Sequence, residues 1–347
     1  MCCYCHRHPG FTLQISELAA TPPHTFQSFS CNFSSNAPLS DEIIIFSYLC
    51  AIFRSEGGET SEKTGCTTYR IQMNLYYTVM TVMAVLAVFV FIMLFYFKAG
   101  YGYLSNSKWG PTIPNKAAWI IMEAPSFFYL LFYTLKFAFD GPGAGLGVDG
   151  IVNGNSTGVL YFMAGLFLLH YFQRSFIFPL LMRGKSTTPI AIMLMGMVFN
   201  TVNAFLIAGW IFGIPGLMEA QAPEGYFTLT WFRDPRLIIG TVIFFTGMAI
   251  NLYSDHVIRH LRKPGDTKHY IPLKGMYKYV TSANYFGELV EWIGYAILTW
   301  SPAGLLFAVW TFANLGPRAK SLTEKYEEEF GEEYTSLHKK NLIPYIW

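Results

Sequence analysis

Residues Leu237–Asp266 read LIIGTVIFFTGMAINLYSDHVIRHLRKPGD. The first half is an apolar run, and the second half turns polar without losing helical periodicity. Asn251, Asp255, Arg259 and Arg262 follow one another at intervals of 4, 4 and 3, so on a helix they share one face. A helix leaving a bilayer commonly ends in scattered polar residues, whereas this one keeps an amide, a carboxylate and two guanidiniums in a column. Two readings of the column stand. Guanidiniums grip phosphates bidentately, which suits a large anionic ligand at the membrane surface. A helix end whose cations snorkel to water explains the same residues.

The rest of the chain agrees with a membrane setting. Of its 347 residues 52% are hydrophobic, 18% aromatic and only 13% charged, with mean hydropathy +0.32. Soluble domains carry roughly a quarter charged residues, so the composition predicts a polytopic membrane protein. A net charge of +2 argues against a nucleic-acid partner. The six cysteines (Cys2, Cys3, Cys5, Cys31, Cys50 and Cys66) all fall in the first fifth of the chain, which leaves the membrane part without thiol chemistry.

Residues 1–72 differ from the remainder of the chain: they are rich in Ser, Thr, Pro and Gly, and are expected to form a polar, disordered extension. The opening MCCYCHRH crowds its Cys and His too closely for the usual tetrahedral zinc spacing, so no metal is expected. No continuous apolar core comes after the first basic residues, as a signal peptide would require.

Leu75–Phe97 is an uninterrupted apolar run and the first predicted span. Ala117–Phe139, Val159–Met182, Ile190–Leu217, Leu237–Val257 and Tyr285–Trp300 come next. A short seventh, Ala303–Leu315, continues past Arg318 as an amphipathic helix. Backbone amides in lipid need internal partners, so the expectation is an all-α membrane domain over 73–347 whose seven helices enclose an intramembrane cavity. Lys98, Lys108, Lys116, Arg183, Lys185 and the cations of Arg259–Lys278 lie after the odd-numbered spans. The positive-inside rule then places the N-terminus outside and the C-terminus in the cytosol. The sequons at Asn32 and Asn155 fall on the predicted lumenal side.

Ionisable groups inside a membrane are costly and mark functional sites by default. Four sets qualify: Glu123; Tyr171 with Arg174; the Asn251–Arg262 column; and Asn284, Glu288, Glu291 and Tyr295, again on one helical face. Interhelical pairing explains any one of them; four sets on four helices favour a buried polar site. Gly145–Gly150 matches G-x-G-x-x-G literally, but it lies in a Gly-rich loop without the strand and helix that the motif needs.

The stretches NLYSDHVIRHLRKPGD, YIPLKGMYKYVTSANYFGELVEWIGYAILTWS, FGEEY and LIPYIW, with the earlier APSFF and LLHYFQRSFIFPLL, closely resemble the steroid 5α-reductase family. The resemblance runs from about Lys98 to Trp347. It implies a multi-pass enzyme of the endoplasmic reticulum membrane that passes a hydride from NADPH to C5 of a 3-oxo-Δ4 steroid or sterol. It implies that Tyr171 and Glu123 meet the 3-oxo group, with Met122 and Arg174 on the substrate side. It further implies that Asn251, Asp255, Arg259, Arg262, Lys263, Tyr270, Asn284, Glu288, Arg318 and Tyr326 line the NADPH pocket. Met122 stands where steroid-reducing relatives commonly carry Gln. A steroid substrate, contact with membrane lipid and a monomeric state are expected. The competing expectations are a related lipid reductase acting on polyprenal or a long-chain enoyl-CoA, a lipid methyltransferase, and a non-catalytic sterol-binding membrane protein.

Overall fold

The structure is a computed structural model. It describes residues 64–97, 110–140, 150–152, 154–183, 186–213, 220–222, 224–263, 266 and 268–347, with side chains from Leu75 onward. The N-terminal Cys/His tract, the Asn32 sequon, Lys98, Lys108, Lys185 and most of the Gly145–Gly150 loop lie outside the described residues.

The described chain is overwhelmingly helical. Its helices are α1 (Thr64–Tyr96), α2 (Asn115–Phe139), α3 (Thr157–Phe172), α4 (Phe178–Leu181), α5 (Ile190–Ile211), α6 (Pro235–Arg259), α7 (Ala283–Thr299), α8 (Pro302–Phe330) and α9 (Glu332–Thr335). A π-helical turn at Gln173–Ile177 joins α3 to α4 without a break, so one rod runs from Thr157 to Leu181. Among the described residues four stretches are long and apolar enough to cross a membrane: Leu75–Tyr96, Asn115–Phe139, Ile190–Ile211 and Pro235–Arg259. This is an all-α membrane protein. The other predicted spans are helical but shorter or more polar: α7, with 17 residues, reaches about 25 Å against a hydrocarbon thickness of about 30 Å. Ile190–Leu217 was expected to be a single helix. It ends at Ile211 because Gly213 takes φ 71°, which a continuing helix does not tolerate.

Local signals set several ends. Asp234 caps α6 by accepting from Arg236 N at 2.8 Å, with Pro235 at the first helical position. Ser301 caps α8 by accepting from Gly304 N at 2.9 Å, ahead of which Trp300 reverses the chain at φ 44°. Two short antiparallel ribbons tie loops together: β1 (Thr112–Pro114) with β4 (Thr187–Pro189), and β2 (Ile151–Val152) with β3 (Asn155–Ser156). The first holds the entrances of α2 and α5 side by side. The second engages the Asn155 sequon. That side chain is 4% exposed and accepts from Phe227 N at 2.6 Å, so it is a structural amide and not a presented acceptor.

The tightest contact in the fold is α6 against α7. Gly240 and Gly247 on α6 face Gly294 and Gly287 on α7, each pair seven residues apart. A Cβ on Gly247 would stand 2.2 Å from Glu291 N, and one on Gly287 would stand 2.4 Å from Asn251 N. With no side chain between them the two backbones touch, the small-residue packing that membrane helices use in place of a hydrophobic drive. That contact sets Asn251 and Asp255 directly opposite Asn284 and Glu288.

Candidate active site

The site is assembled from five helices. Pro125 lies inside α2 without ending it, and Glu123 and Ser126 project from that stretch toward α5. On α3, Tyr171 is 2% exposed and held in an aromatic layer, with Phe167 at 4.6 Å and Trp292 at 6.0 Å between ring centres. Trp292 itself rests on Phe307 at 4.1 Å. A fully buried phenol needs a partner for its proton. Tyr171 finds it in the Oδ1 of Asn200, at 2.9 Å.

Asn200 is the centre of this network. Its Nδ2 donates to Glu123 Oε2 at 3.1 Å and to the Met122 carbonyl at 2.8 Å, while Ser126 Oγ donates to the Asn200 carbonyl at 2.9 Å. Tyr171 and Glu123 are therefore joined through an amide and not bonded directly. The Met122 side chain, expected on the substrate side, packs over Gly196 of α5, where a Cβ would come within 2.4 Å of it. Its contribution to the network is its carbonyl.

Further along the same rod, the π turn carries Arg174 toward α6 and α7. Such turns recur at functional sites because they reset the side-chain register. Arg174, 6% exposed, donates to Asp255 Oδ2 at 3.5 Å and to Glu288 Oε2 at 3.3 Å. Its guanidinium lies 4.5 Å from each of the Trp119 and Phe178 rings. Asn251 Nδ2 donates to the Asn284 carbonyl at 2.9 Å, and Asn284 Nδ2 to Asp255 Oδ1 at 3.2 Å. Tyr277 OH reaches Asn284 Oδ1 at 3.4 Å. The two polar faces read from the sequence thus meet, and Arg174 connects them to the Tyr171 rod.

The expected faces do not survive whole. Glu291 turns away from the Asn284–Glu288 pair and binds His170 Nδ1 at 2.8 Å; both side chains are buried. Tyr295 donates to the Met163 carbonyl at 3.3 Å. Arg262, placed in the helical column by its spacing, lies beyond the end of α6 at Arg259, in an exposed bend with exposed Lys263. Arg259 is partly buried, and its carbonyl accepts from Arg183 Nη1 at 3.3 Å, which satisfies an end-of-helix acceptor.

The remaining expected cofactor residues make contacts of their own. Tyr270 donates to Asp266 Oδ2 at 2.8 Å. The Lys268 N–H and then Tyr270 hold the Asp266 carboxyl below its ordinary range. Arg318 Nε donates to Tyr285 OH at 2.6 Å. Tyr326 stacks on Tyr334 at 5.3 Å and on Phe330 at 5.7 Å, and burial pushes its phenol up to about 12. A groove of about 460 Å³ between α6 and the turn at Gly275–Lys278 is lined by Ile250, Tyr253, Met276 and Tyr279, and does not include Tyr171, Glu123 or Arg174.

Two parts of the site were not assigned from sequence. Asn200 was visible as an amide in an apolar run, but nothing in one dimension says which helix it faces. The His170–Glu291 pair joins residues 121 positions apart and has no local signal.

This geometry can do two things. It holds a phenol proton in a buried aromatic layer, and it sets amides, carboxylates and the Arg174 guanidinium nearby. Comparison with known proteins places the chain in a family. The family model described as 3-oxo-5-alpha-steroid 4-dehydrogenase matches residues 186–347. The chain is 37% identical over 246 residues to 3-oxo-5-alpha-steroid 4-dehydrogenase 1 of Bos taurus, covering 71% of this chain and 87% of that protein. It is 36% identical over 235 residues to the Homo sapiens protein of the same name, covering 68% and 81%. With steroid 5-alpha-reductase DET2 of Arabidopsis thaliana it shares 34% over 262 residues, covering 74% and 90%. The chain therefore belongs to the 3-oxo-5-alpha-steroid 4-dehydrogenase family, the steroid 5-alpha-reductases.

Proposed function

We propose that this protein is a membrane oxidoreductase that reduces the Δ4 double bond of 3-oxo-Δ4 steroids or sterols, adding hydride at C5 and a proton at C4. The names of its relatives support the reaction. The observation that carries the residue assignment is the buried chain Tyr171–Asn200–Glu123 standing beside Arg174.

Addition at C5 drives negative charge through the conjugated enone onto the C3 oxygen. Tyr171 is the donor aimed at that charge. Its proton rests on Asn200 Oδ1 and turns to the ketone oxygen when the substrate is seated. Asn200 and Glu123 fix the direction of the phenol. The aromatic layer around it excludes water, so the hydrogen bond acts in low dielectric, where it is strongest.

The donor set suits NADPH, which when bound supplies the hydride. Asn251, Asp255, Asn284 and Glu288 would hold its ribose hydroxyls and carboxamide, with Arg318, Tyr326 and Tyr270 on its outer edge. Arg259, Arg262 and Lys263 would take the phosphates. Their number favours the 2′-phosphate of NADPH over NADH. The Ser282 Oγ at the start of α7, buried and without a hydrogen bond among the described residues, offers a further polar contact to a ligand.

We further propose that seven membrane-crossing helices enclose an intramembrane cavity, with the Thr157–Leu181 rod, α7 and the first half of α8 as the additional spans. The protein works as a monomer in the endoplasmic reticulum membrane, N-terminus lumenal and C-terminus cytosolic. It takes its substrate from the lipid, and residues 1–72, the last nine of which already belong to helix α1, form an accessory extension.

The test is product analysis with a panel of steroid enones and enoyl lipids, supplied with NADPH and NADH in parallel. Oxidation of NADPH that depends on a 3-oxo-Δ4 steroid is expected, and Tyr171→Phe should lower turnover about 10²–10³-fold, the cost of one oxyanion donor. Reduction of enoyl lipids alone, or full turnover by Tyr171→Phe, would refute the assignment.

A further inference from the structure

One buried donor beside the phenol is left without a role. Helix α5 carries Asn200 and Asn203, three residues apart and therefore on one face; they are 4% and 3% exposed. The Asn200 amide is fully engaged: its oxygen accepts from Tyr171 and Ser126, and its nitrogen donates to Met122 and Glu123. The Asn203 carboxamide lies within weak reach of the Tyr171 phenol, but no partner among the described residues meets the distance and angle of a hydrogen bond to its Nδ2.

An unbonded amide donor at membrane depth costs stability, and apolar residues surround it in the α5 sequence VFNTVNAFLIAG. Such groups persist where a ligand completes them. A carbonyl oxygen has two lone pairs and accepts two donors, and an oxygen gaining charge during reaction benefits from both. Tyr171 supplies only one.

We propose that Asn203 Nδ2 is the second hydrogen-bond donor to the substrate's ketone oxygen, converging on it beside the Tyr171 hydroxyl. This rests on the reading of Tyr171 as donor to that same oxygen. Together the two form a carbonyl-specific pocket, so the site selects a flat enone and gains nothing from the same ring system without its oxygen.

The experiment uses full-length protein in detergent or nanodiscs and the isosteric variant Asn203→Leu, with Tyr171→Phe alongside. Three quantities are read: thermal midpoint, kcat/KM for a 3-oxo-Δ4 steroid, and affinity for that steroid against its 3-deoxo analogue. Asn203→Leu should melt no lower than the wild type, because the lost donor had no partner. Its kcat/KM should fall about 10²-fold. The preference for the 3-oxo over the 3-deoxo ligand should shrink about fivefold to tenfold, with 3-deoxo binding unchanged. A lower midpoint with equal loss for both ligands would make Asn203 structural and overturn the inference. If Asn203→Leu does not fold, the same ligand comparison is read on Asn203→Ala. Wild-type kcat/KM in Asn203→Leu with an impaired Tyr171→Phe removes Asn203 alone. Full activity in both variants removes the reading of Tyr171 beneath it.

Discussion

Gly247→Ala is the substitution that most directly tests how the site is held together. The added Cβ would meet Glu291 N at 2.2 Å, Glu291 Cα at 2.6 Å and Gly287 O at 2.6 Å. All three are backbone atoms, so no flexible side chain can swing aside. Ordinary contact begins near 3.4 Å, so α6 and α7 must part locally by about 3.4 − 2.2 = 1.2 Å. The bonds across that seam cannot absorb such a shift. Asn251–Asn284 would lengthen from 2.9 toward 4.1 Å and Asn284–Asp255 from 3.2 toward 4.4 Å. Arg174, already reaching 3.5 Å to Asp255 and 3.3 Å to Glu288, could keep only one of the two. Overpacking costs about 1–3 kcal/mol, and interhelical hydrogen bonds in membranes add about 0.6 kcal/mol each. The expected loss is therefore roughly 2–4 kcal/mol. A misplacement near 1 Å should lower turnover on the order of 10²-fold. The assay pairs thermal unfolding in detergent with steady-state NADPH oxidation. The control is Gly165→Ala on α3, where nothing lies within 4 Å of the new methyl group, and which should be neutral or slightly stabilising. If Gly247→Ala keeps wild-type stability and turnover, the seam does not position the site.

The same contacts lead to other outcomes. Asn200→Leu strips partners from Tyr171, Glu123 and Ser126 together. It should cost about 1–3 kcal/mol in unfolding free energy and lower kcat more than it raises KM; unchanged kcat would show that the phenol needs no holder. Arg174→Lys keeps the charge but cannot bridge Asp255 and Glu288 while lying against Trp119 and Phe178. The KM for NADPH should rise about tenfold or more, and titration of nucleotide fluorescence would detect the change. Lys339 donates to the Pro272 carbonyl at 2.6 Å, and burial brings its ammonium down from 10.5 to about 8. Between those values the unfolded chain binds more protons than the folded one, so the melting temperature should climb as pH rises through the window. Melting curves of Lys339→Met should lose that climb; an identical slope would assign it to other groups.

The membrane class, most helix positions and the family were legible in one dimension, because each rests on a local property. An apolar run such as Leu75–Tyr96 has to bond its own backbone in lipid, whatever it packs against. Intervals of three and four residues put Asn251 with Asp255, and Asn284 with Glu288, on shared faces before any partner is known. What those faces meet was decided by the tertiary structure. The glycines at 240, 247, 287 and 294 read only as small residues until α6 and α7 are laid side by side. Arg174 reaches both faces because a π turn shifts its register, and the insertion of Asn200 between Tyr171 and Glu123 depends on three helices meeting at one depth. Arg262 and Asn155 went the other way. A helix ending at Arg259 took Arg262 out of its column, and a ribbon against Phe227 buried the amide of a sequon. Periodicity is a property of one helix, whereas a catalytic contact is a property of the space between several, and only packing fixes that space.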